Sequence, residues 1–185
     1  ANTAGNTDVL VFHGSTDAPT VDVSTPGGSM TPLVDNAAYG DFTSYLELPT
    51  DDYTLNVTDE TGATVVASFQ APLATLGLDD AAAVVVASGF LDPSMNNDGE
   101  EFGLWVALPA GGDLVELPAS EARLQVIHNS ADAAATEVDV YFNDELLIDD
   151  FAFRSASAYI DVPAEVENEI AIAPGNSTDV GDALV

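Results

Sequence analysis

One stretch of this chain occurs twice, and the two copies lie 114 to 117 residues apart throughout. The first copy contains His13-Gly14-Ser15-Thr16-Asp17-Ala18, followed by Val21-Asp22-Val23. The second contains His128-Asn129-Ser130-Ala131-Asp132-Ala133, followed by Val138-Asp139-Val140. Two later pairs of segments also match, residues 33–35 with residues 147–149 and residues 45–49 with residues 159–163. A repeat of this length predicts two copies of one domain rather than a solenoid of small units.

Apolar residues alternate or cluster in short runs, without helical spacing over any useful length. Turn residues such as Glu60-Thr61-Gly62 and Pro26-Gly27-Gly28 separate these runs. The predicted strands are residues 9–13, 20–24, 43–48, 53–58, 64–70, 82–88, 102–108 and 114–117. This density of short strands is typical of an immunoglobulin-like β-sandwich. We therefore expect an all-β fold of tandem immunoglobulin-like β-sandwich domains, at residues 7–118 and 122–185.

The second predicted domain is incomplete in this chain. It has counterparts of early strands at residues 124–128, 138–142, 157–162 and 170–173, but none of residues 64–70, 82–88 and 102–117. Half a sandwich exposes an apolar face and open strand edges. Three explanations stay open: the chain is truncated from a longer protein, another subunit supplies the strands, or the domain is simply smaller. We expect another chain, residues 179–185 or the first domain to cover the face, with residues 7–12 as a candidate donor strand.

The charge of the chain limits its partners. Its 185 residues include 32 acidic residues, no lysine and two arginines, Arg123 and Arg154, for a net charge of −30. Nucleic acids and anionic membranes are not expected partners, because proteins bind phosphate groups with lysine and arginine. The absence of cysteine excludes disulfides and thiolate metal sites, and no apolar stretch is long enough to span a bilayer. Because 46% of the residues are apolar, we interpret the acidity as the surface of a folded protein from a high-salt host.

The run from His13 to Pro19, with Val21-Asp22-Val23 and Tyr45-Leu46-Glu47-Leu48-Pro49, resembles the domain of unknown function family 4397. That family occurs, often in tandem copies, in secreted and cell-surface proteins of bacteria and halophilic archaea. The resemblance covers the first copy and the front of the second, where Ala134 stands in place of the proline. It implies an extracellular β-sandwich and no established activity.

The repeated motif allows two interpretations of its polar residues. One is a histidine–aspartate site or a pair of metal ligands. The other is a structural turn motif in which the side chains bond nearby backbone groups. The residues concerned are His13, Ser15 and Asp17 in the first copy and His128, Ser130 and Asp132 in the second. We favour the structural motif, because a zinc site needs three or four ligands and neither copy has another histidine.

Oxygen-bearing side chains crowd together between residues 92 and 101, and such ligands suit Ca²⁺. The candidate ligands are Asp92, Asn96, Asp98 and Glu100. The spacing departs from that of an EF-hand, because the twelfth position holds Trp105 rather than glutamate. The alternative is a solvated hairpin loop, and no other cofactor is expected.

Two further features concern the surface of the protein. Asn56 and Asn176 open Asn-x-Thr sequons and are candidate glycosylation sites. Tyr45 and Tyr159 occupy equivalent positions in the two copies, which favours packing in a core or at a corner over an exposed platform for glycans.

These observations predict a non-enzymatic, secreted or cell-surface repeat protein with a structural or adhesive role. One alternative is a self-assembling filament or surface-layer subunit, completed by strand donation between chains. Another is a calcium- or glycan-binding module. An enzyme is not expected, because no acid–base pair or nucleophile set stands out. Expected partners are other copies of the chain or cell-surface components.

We predict that the melting temperature rises steeply between low and molar NaCl. A net charge of −30 destabilises the folded state by self-repulsion, and molar salt shortens the Debye length to about 3 Å. Circular-dichroism melts across this range at constant pH measure the effect. A melting temperature that does not depend on salt would contradict the halophilic interpretation.

Overall fold

The computed structural model describes residues 1–26 and 32–184, so Gly27, Gly28 and Val185 of the predictions above lie outside the described residues. Strands make up 47% of the structure and the described residues form no α-helix, which confirms the all-β prediction. No helical segment in the described chain has the length and apolarity needed to cross a membrane. The chain divides into two compact units. Unit 1 is Ala1–Ser120 with Ala164–Val166, and unit 2 is Glu121–Pro163 with Glu167–Val185.

The described part of unit 1 forms nine strands in two sheets. The strands are β1 (Asn6–His13), β2 (Val21–Ser24), β3 (Val34–Ala37), β4 (Leu46–Pro49), β5 (Asp52–Asp59), β6 (Val65–Pro72), β7 (Ala82–Ser88), β8 (Gly103–Ala107) and β9 (Val115–Glu116). The five-stranded sheet has the order β4-β1-β7-β8-β9, and the four-stranded sheet has the order β3-β2-β5-β6. β1 and β7 run parallel to each other, whereas β1 and β4 are antiparallel.

The two sheets of unit 1 share one core, because each presents a row of apolar side chains at alternate positions. β7 shows this most regularly, with Ala83, Val85 and Ala87 buried between half-exposed neighbours. Val21 and Val57 belong to the same core cluster from the four-stranded sheet. β7 has the bounds that the alternation pattern predicts, since its apolar run is flanked by turn residues on both sides.

Residues 7–12, the candidate donor strand, lie inside unit 1, so that expectation is wrong. They form most of β1, which pairs with β4 along one edge and with β7 along the other. Thr7 and Val9 are 0% and 5% exposed, so this strand cannot leave without opening the core. The residues before it are held as well, because the Gly5 N–H donates a hydrogen bond of 2.8 Å to Asp80 Oδ1.

The described part of unit 2 forms seven short strands. They are β10 (Glu121–Leu124), β11 (Ile127–His128), β12 (Glu137–Phe142), β13 (Glu145–Ala152), β14 (Ser155–Ala156), β15 (Ile160–Pro163) and β16 (Ile170–Pro174). Three of them form a sheet in the order β13-β12-β16. The other four form two pairs, β10 with β15 and β11 with β14.

The three-stranded sheet of unit 2 has two different apolar faces. On one face, Val138, Val140 and Phe151 form a buried cluster. On the other face, Tyr141, Ala171 and Ala173 pack against Val180 and Ala183. The end of the chain therefore packs mainly on this second face. The first face matches the core face of unit 1, because the two valines of its Val-Asp-Val segment are the counterparts of those in β2.

Periodicity missed β3, β13 and the two-residue β14. Of these, β3 and β13 occupy equivalent places in the two units. Each contains a residue in the left-handed region, Asn36 with φ 53° and Asp150 with φ 50°. Each also contains several exposed polar residues, so no alternation of apolar residues indicates a strand there. These strands form because their backbones pair with β2 and β12.

The prediction that Tyr45 and Tyr159 pack in a core or at a corner is wrong, because each is 58% exposed. In β4, Leu46 and Leu48 take the positions that face the core, and Tyr45 precedes them on the solvent side. The guanidinium carbon of Arg123 lies 4.9 Å from the centre of the Tyr159 ring, an arrangement that favours a cation–π contact at the surface.

Candidate functional site

His13 ends β1 and closes the loop that follows it. The side chain is 2% exposed, and its Nε2 lies 3.0 Å from the carbonyl oxygen of Pro19. A carbonyl only accepts hydrogen bonds, so Nε2 carries the hydrogen and donates it. Nδ1 is buried without a hydrogen-bond partner, and the ring borders an internal apolar cavity of about 60 Å³. Neither ring nitrogen bonds Ser15 or Asp17, so the three residues do not form a histidine–aspartate relay.

Ser15 and its neighbour Gly14 bind the end of β7. The Gly14 N–H donates to the Ala87 carbonyl at 2.8 Å. The Ser15 hydroxyl, which is 0% exposed, lies 2.7 Å from the Gly89 carbonyl oxygen and donates to it. The chain passes Gly89 with φ +88°, and a Cβ at that position would overlap the Glu101 carbonyl. The motif therefore joins the carboxyl ends of β1 and β7.

Asp17 organises the acidic loop that follows β7. Its Oδ1 accepts from the Leu91 N–H at 3.0 Å, and its Oδ2 accepts from the Asp92 N–H at 3.0 Å and from Asn96 Nδ2 at 3.1 Å. The N–H of Asp92 is the largest cause that lowers the pKa of Asp17 below its ordinary value, and it outweighs the opposing effect of desolvation. Two features that are separate in the sequence, the repeated motif and the calcium candidate, thus meet at one carboxylate.

Two of the four calcium candidates of this loop, Asp92 and Asn96, are engaged in other hydrogen bonds. Asp92 Oδ1 accepts from the Ser94 hydroxyl at 2.6 Å and from the Met95 N–H at 3.2 Å, so it caps the 3₁₀ segment Pro93–Asn96. Asn96 presents its amide nitrogen, not its oxygen, to Asp17. Asp98 lies in the left-handed turn after this segment, with φ 52°. Asp92, Asp98 and Glu100 do not form a group of three ligand atoms within residues 1–26 and 32–184. A calcium site here stays a prediction.

The second copy keeps the histidine contact but not the rest of the network. His128 Nε2 lies 2.8 Å from the Ala135 carbonyl oxygen, and Nδ1 accepts from the Ser130 N–H at 3.4 Å. Asp132 Oδ1 accepts only from within its own loop, from the Ala134 N–H at 2.8 Å. Ser130 is exposed, whereas its counterpart in unit 1 is fully buried. The difference arises because the described residues of unit 2 include no counterpart of β7 or of the loop that follows it.

The most buried carboxylates of the repeat were not among the predicted site residues. Asp22 and Asp139 stand in the centre of the two Val-Asp-Val segments and are 7% and 1% exposed. Asp22 Oδ1 accepts from the Asn36 N–H at 2.7 Å, and Asp139 Oδ1 accepts from the Asp150 N–H at 2.9 Å. Each carboxylate therefore holds a left-handed residue of the neighbouring strand. The sequence did contain a signal for these two residues, because a charged residue stands between two inward-facing valines in both copies. Aspartate is seldom fully buried without partners, so a buried aspartate at this position indicates a hydrogen-bonded carboxylate.

Asp139 has more partners than Asp22. Its Oδ2 accepts from both the backbone N–H and the hydroxyl of Ser177. Burial is the largest single influence and raises the pKa of Asp139, but the hydrogen bonds from Ser177 and Asp150 together lower it below the ordinary value. The charged form of Asp139 thus connects β12, β13 and the segment that follows β16.

Asp139, Asp149 and Asp150 bring three carboxylate oxygens within 4.8 Å of one another, the one such group in the described residues. In unit 1 the corresponding residues are Asp22, Asp35 and Asn36. There the amide nitrogen of Asn36 donates to Asp35 at 2.8 Å, so an amide stands where unit 2 has a third carboxylate. Oxygen ligands of this kind suit a hard cation.

The surface candidates differ in accessibility. Asn56 is 8% exposed and accepts a hydrogen bond of 2.9 Å from the Ser68 hydroxyl, so the folded unit 1 shields this sequon. Asn176 is exposed in a turn, which favours it as an acceptor for a glycan. Tyr39, Phe42 and Tyr45 are each more than half exposed within a short segment. The alternative of a glycan-binding module stays a prediction.

We predict that His13→Gln and His128→Gln each lower the free energy of unfolding by about 1–3 kcal/mol, through the loss of a buried hydrogen bond. Protein purified without chelator is expected to contain no stoichiometric transition metal. Urea unfolding in molar NaCl and elemental analysis measure the two effects, and each variant is the matched control for the other unit. One tightly held metal ion per unit that disappears on substitution would contradict the structural role.

We also predict that Asp139→Asn destabilises the protein above about pH 4, by about 1–3 kcal/mol for the disrupted hydrogen bonds. The pKa of Asp139 is lower in the folded than in the unfolded state. The contribution of the Asp139 carboxylate to the free energy of unfolding is therefore present above the pKa of the unfolded state. It is lost as the pH falls through the pKa of the folded state. Urea unfolding between pH 2 and 6 in molar NaCl should show variant and wild type converging in acid.

The control for this experiment is Asp113→Asn, which removes one charge from an exposed residue. It should change stability little at any pH. A stability difference between Asp139→Asn and wild type that persists unchanged to pH 2 would contradict the role of the charged carboxylate.

The family described as Domain of unknown function (DUF4397) matches residues 7–137. This range includes the complete motif of the first copy, Asp22, and the motif of the second copy, and it ends before Asp139. No curated protein and no solved structure matches the chain. Because the match covers more than half of the chain, the protein belongs to the DUF4397 family.

Proposed function

We propose that the chain is a non-enzymatic, secreted or cell-surface module with a structural or adhesive role. It is built from tandem immunoglobulin-like β-sandwich units, the second of which is incomplete. The observation that supports this best is the use of the repeated polar residues. His13, His128, Asp22 and Asp139 are buried, and each bonds backbone groups of its own unit. Catalytic acids and bases need access to substrate, whereas these side chains stabilise loops and strands.

The chemistry of the surface agrees with an extracellular, high-salt setting. The acidic residues are mostly exposed, and the described chain has one ion pair between side chains, Arg123 with Asp161 at 3.5 Å. Such a surface depends on salt to screen its repulsion. Once salt has screened this repulsion, adhesion relies on apolar and hydrogen-bonding contacts. The partners are other copies of the chain or cell-surface components.

Protease treatment of intact cells tests the location. Proteinase K is suitable, because trypsin has only Arg123 and Arg154 to cleave and amine-reactive labels find no lysine. We expect the chain to be cleaved on intact cells at their growth salinity or recovered from the medium, while a cytoplasmic control protein stays intact. Cleavage only after lysis would contradict the proposed location. Sedimentation of the purified chain with isolated envelopes, against liposomes as the control, tests adhesion.

A second candidate function is a subunit of a filament or surface layer, completed by strand donation between chains. It is favoured by the groove of unit 2, a cavity of about 440 Å³ over the face that contains Val138, Val140 and Phe151. The internal cavity of unit 1 measures about 60 Å³. An apolar groove of this size favours association, since covering apolar surface gains about 25 cal/mol per Å².

Light scattering and electron microscopy in molar NaCl test this candidate. We expect the molar mass to increase with concentration and ordered oligomers or fibres to form. A single molar mass equal to that of the 19.1 kDa chain at all concentrations would contradict self-assembly. The same measurement in low salt is a control, because charge repulsion should then reduce association.

A further inference from the structure

We propose that the groove of unit 2 accepts one extended strand from another polypeptide, and that unit 1 specifies that strand. The strand runs parallel to β10 and β11, in the register that β7 takes against β1, and carries small apolar residues at alternate positions. This inference rests on the strand-completed assembly proposed above. It adds the direction, register and side chains of the incoming strand.

The template for this interface is the β1–β7 pair. Val11 lies opposite Val85, Phe12 opposite Val86 and His13 opposite Ala87, with both strands running in the same direction. The side chains that β7 buries against the rest of unit 1 are small: Ala83, Val85 and Ala87. A strand with this alternation completes both the hydrogen bonds of the sheet and the packing of the core.

Unit 2 repeats the β1 side of this pair without the β7 side. By the repeat, Val126, Ile127 and His128 are the counterparts of Val11, Phe12 and His13, and all three border the groove. In the part of the chain that the structure describes, β10 pairs only with β15 and β11 only with β14. One edge of each strand is therefore available for a further strand.

The polar end of the groove supplies a second, independent argument. In unit 1 the Gly14 N–H and the Ser15 hydroxyl donate to the carbonyls of Ala87 and Gly89, at the end of β7. Their counterparts, Asn129 and Ser130, both border the groove. The N–H of Asn129 has no partner among the described residues, and Ser130 Oγ only accepts, from the Asp132 N–H at 3.4 Å. Both donors thus remain for the carbonyls of an incoming strand in the register of β7.

The floor of the groove determines the side chains of the strand. It contains Val138, Val140, Phe151 and Ile172, and its ionisable group is His128. A charged side chain pointing inward would lose its hydration without finding an opposite charge. The inward positions of the strand are therefore apolar, and the outward positions are free to carry polar residues.

Cross-linking tests direction and register, because the natural chain contains no cysteine. The full chain receives Ile127→Cys, at a residue that is 65% exposed. It is incubated in molar NaCl with a peptide of residues 80–89 that carries Val86→Cys or, as the matched control, Ala82→Cys. Both peptide positions face away from the core in β7. The proposed register places position 86 opposite residue 127, so we expect disulfide formation with Val86→Cys to be at least about tenfold faster.

Binding of labelled peptides to the natural chain tests the side chains of the strand. Val85→Asp, at an inward position, should weaken binding by about tenfold or more, because it buries a charge. Val84→Asp adds the same charge at an outward position and should weaken binding no more than about threefold. An equal loss of binding for both peptides would reflect charge repulsion alone and would overturn the assignment of the inward face.

The outcomes separate this inference from the assembly on which it rests. Assembly without peptide binding, or with cross-linking that favours Ala82→Cys, overturns the proposed strand but leaves assembly in place. Peptide binding in the expected register by a chain that stays monomeric supports the acceptor groove and contradicts self-assembly. Failure of both the peptide and the assembly experiments overturns both proposals.

Discussion

The parallel pairing of β1 with β7 is the interaction on which unit 1 depends. It places the first strand of the unit inside the five-stranded sheet, between β4 and β7, and aligns the inward residues of both strands with the core. The repeated motif secures this pair at one end through Gly14 and Ser15. Asp17 then binds the backbone of the loop that leaves β7. One short motif therefore determines where two distant parts of the chain meet.

Comparison with unit 2 shows which hydrogen bonds of the motif form between residues that are close in the sequence. The histidine-to-carbonyl bond forms in both units, because donor and acceptor belong to the same loop. The buried aspartate also holds a left-handed residue in both, because the strands involved follow one another closely. The bonds that Ser15 and Asp17 make with Gly89 and with the loop after β7 have no equivalent in the described part of unit 2, since that strand and loop have no counterpart there. The same sequence motif thus completes a core in one unit and borders an apolar groove in the other.

The carboxylates of this protein fall into two physical classes. Most are exposed and repel one another, so their effect on stability depends on salt. Asp22 and Asp139 are buried and accept hydrogen bonds from the backbone of the neighbouring strand. For Asp139, whose pKa is lowered on folding, the effect on stability depends on protonation. A protein with a net charge of −30 therefore uses aspartate both as a solvated surface group and as a connector between strands.

The sequence by itself determined the all-β class, the repeat and the position of strands such as β7, because alternation and turn residues act over a few neighbours. It did not reveal β3 and β13, whose polar residues become strands only by pairing with β2 and β12. It also misplaced Tyr45, because Leu46 and Leu48 compete for the same core. Only the tertiary structure decided that Asp17 binds the acidic loop, that Asp139 joins three segments and that Asn129 and Ser130 border a groove. Hydrogen bonds between distant segments depend on how the chain returns on itself, and local sequence patterns do not contain that information.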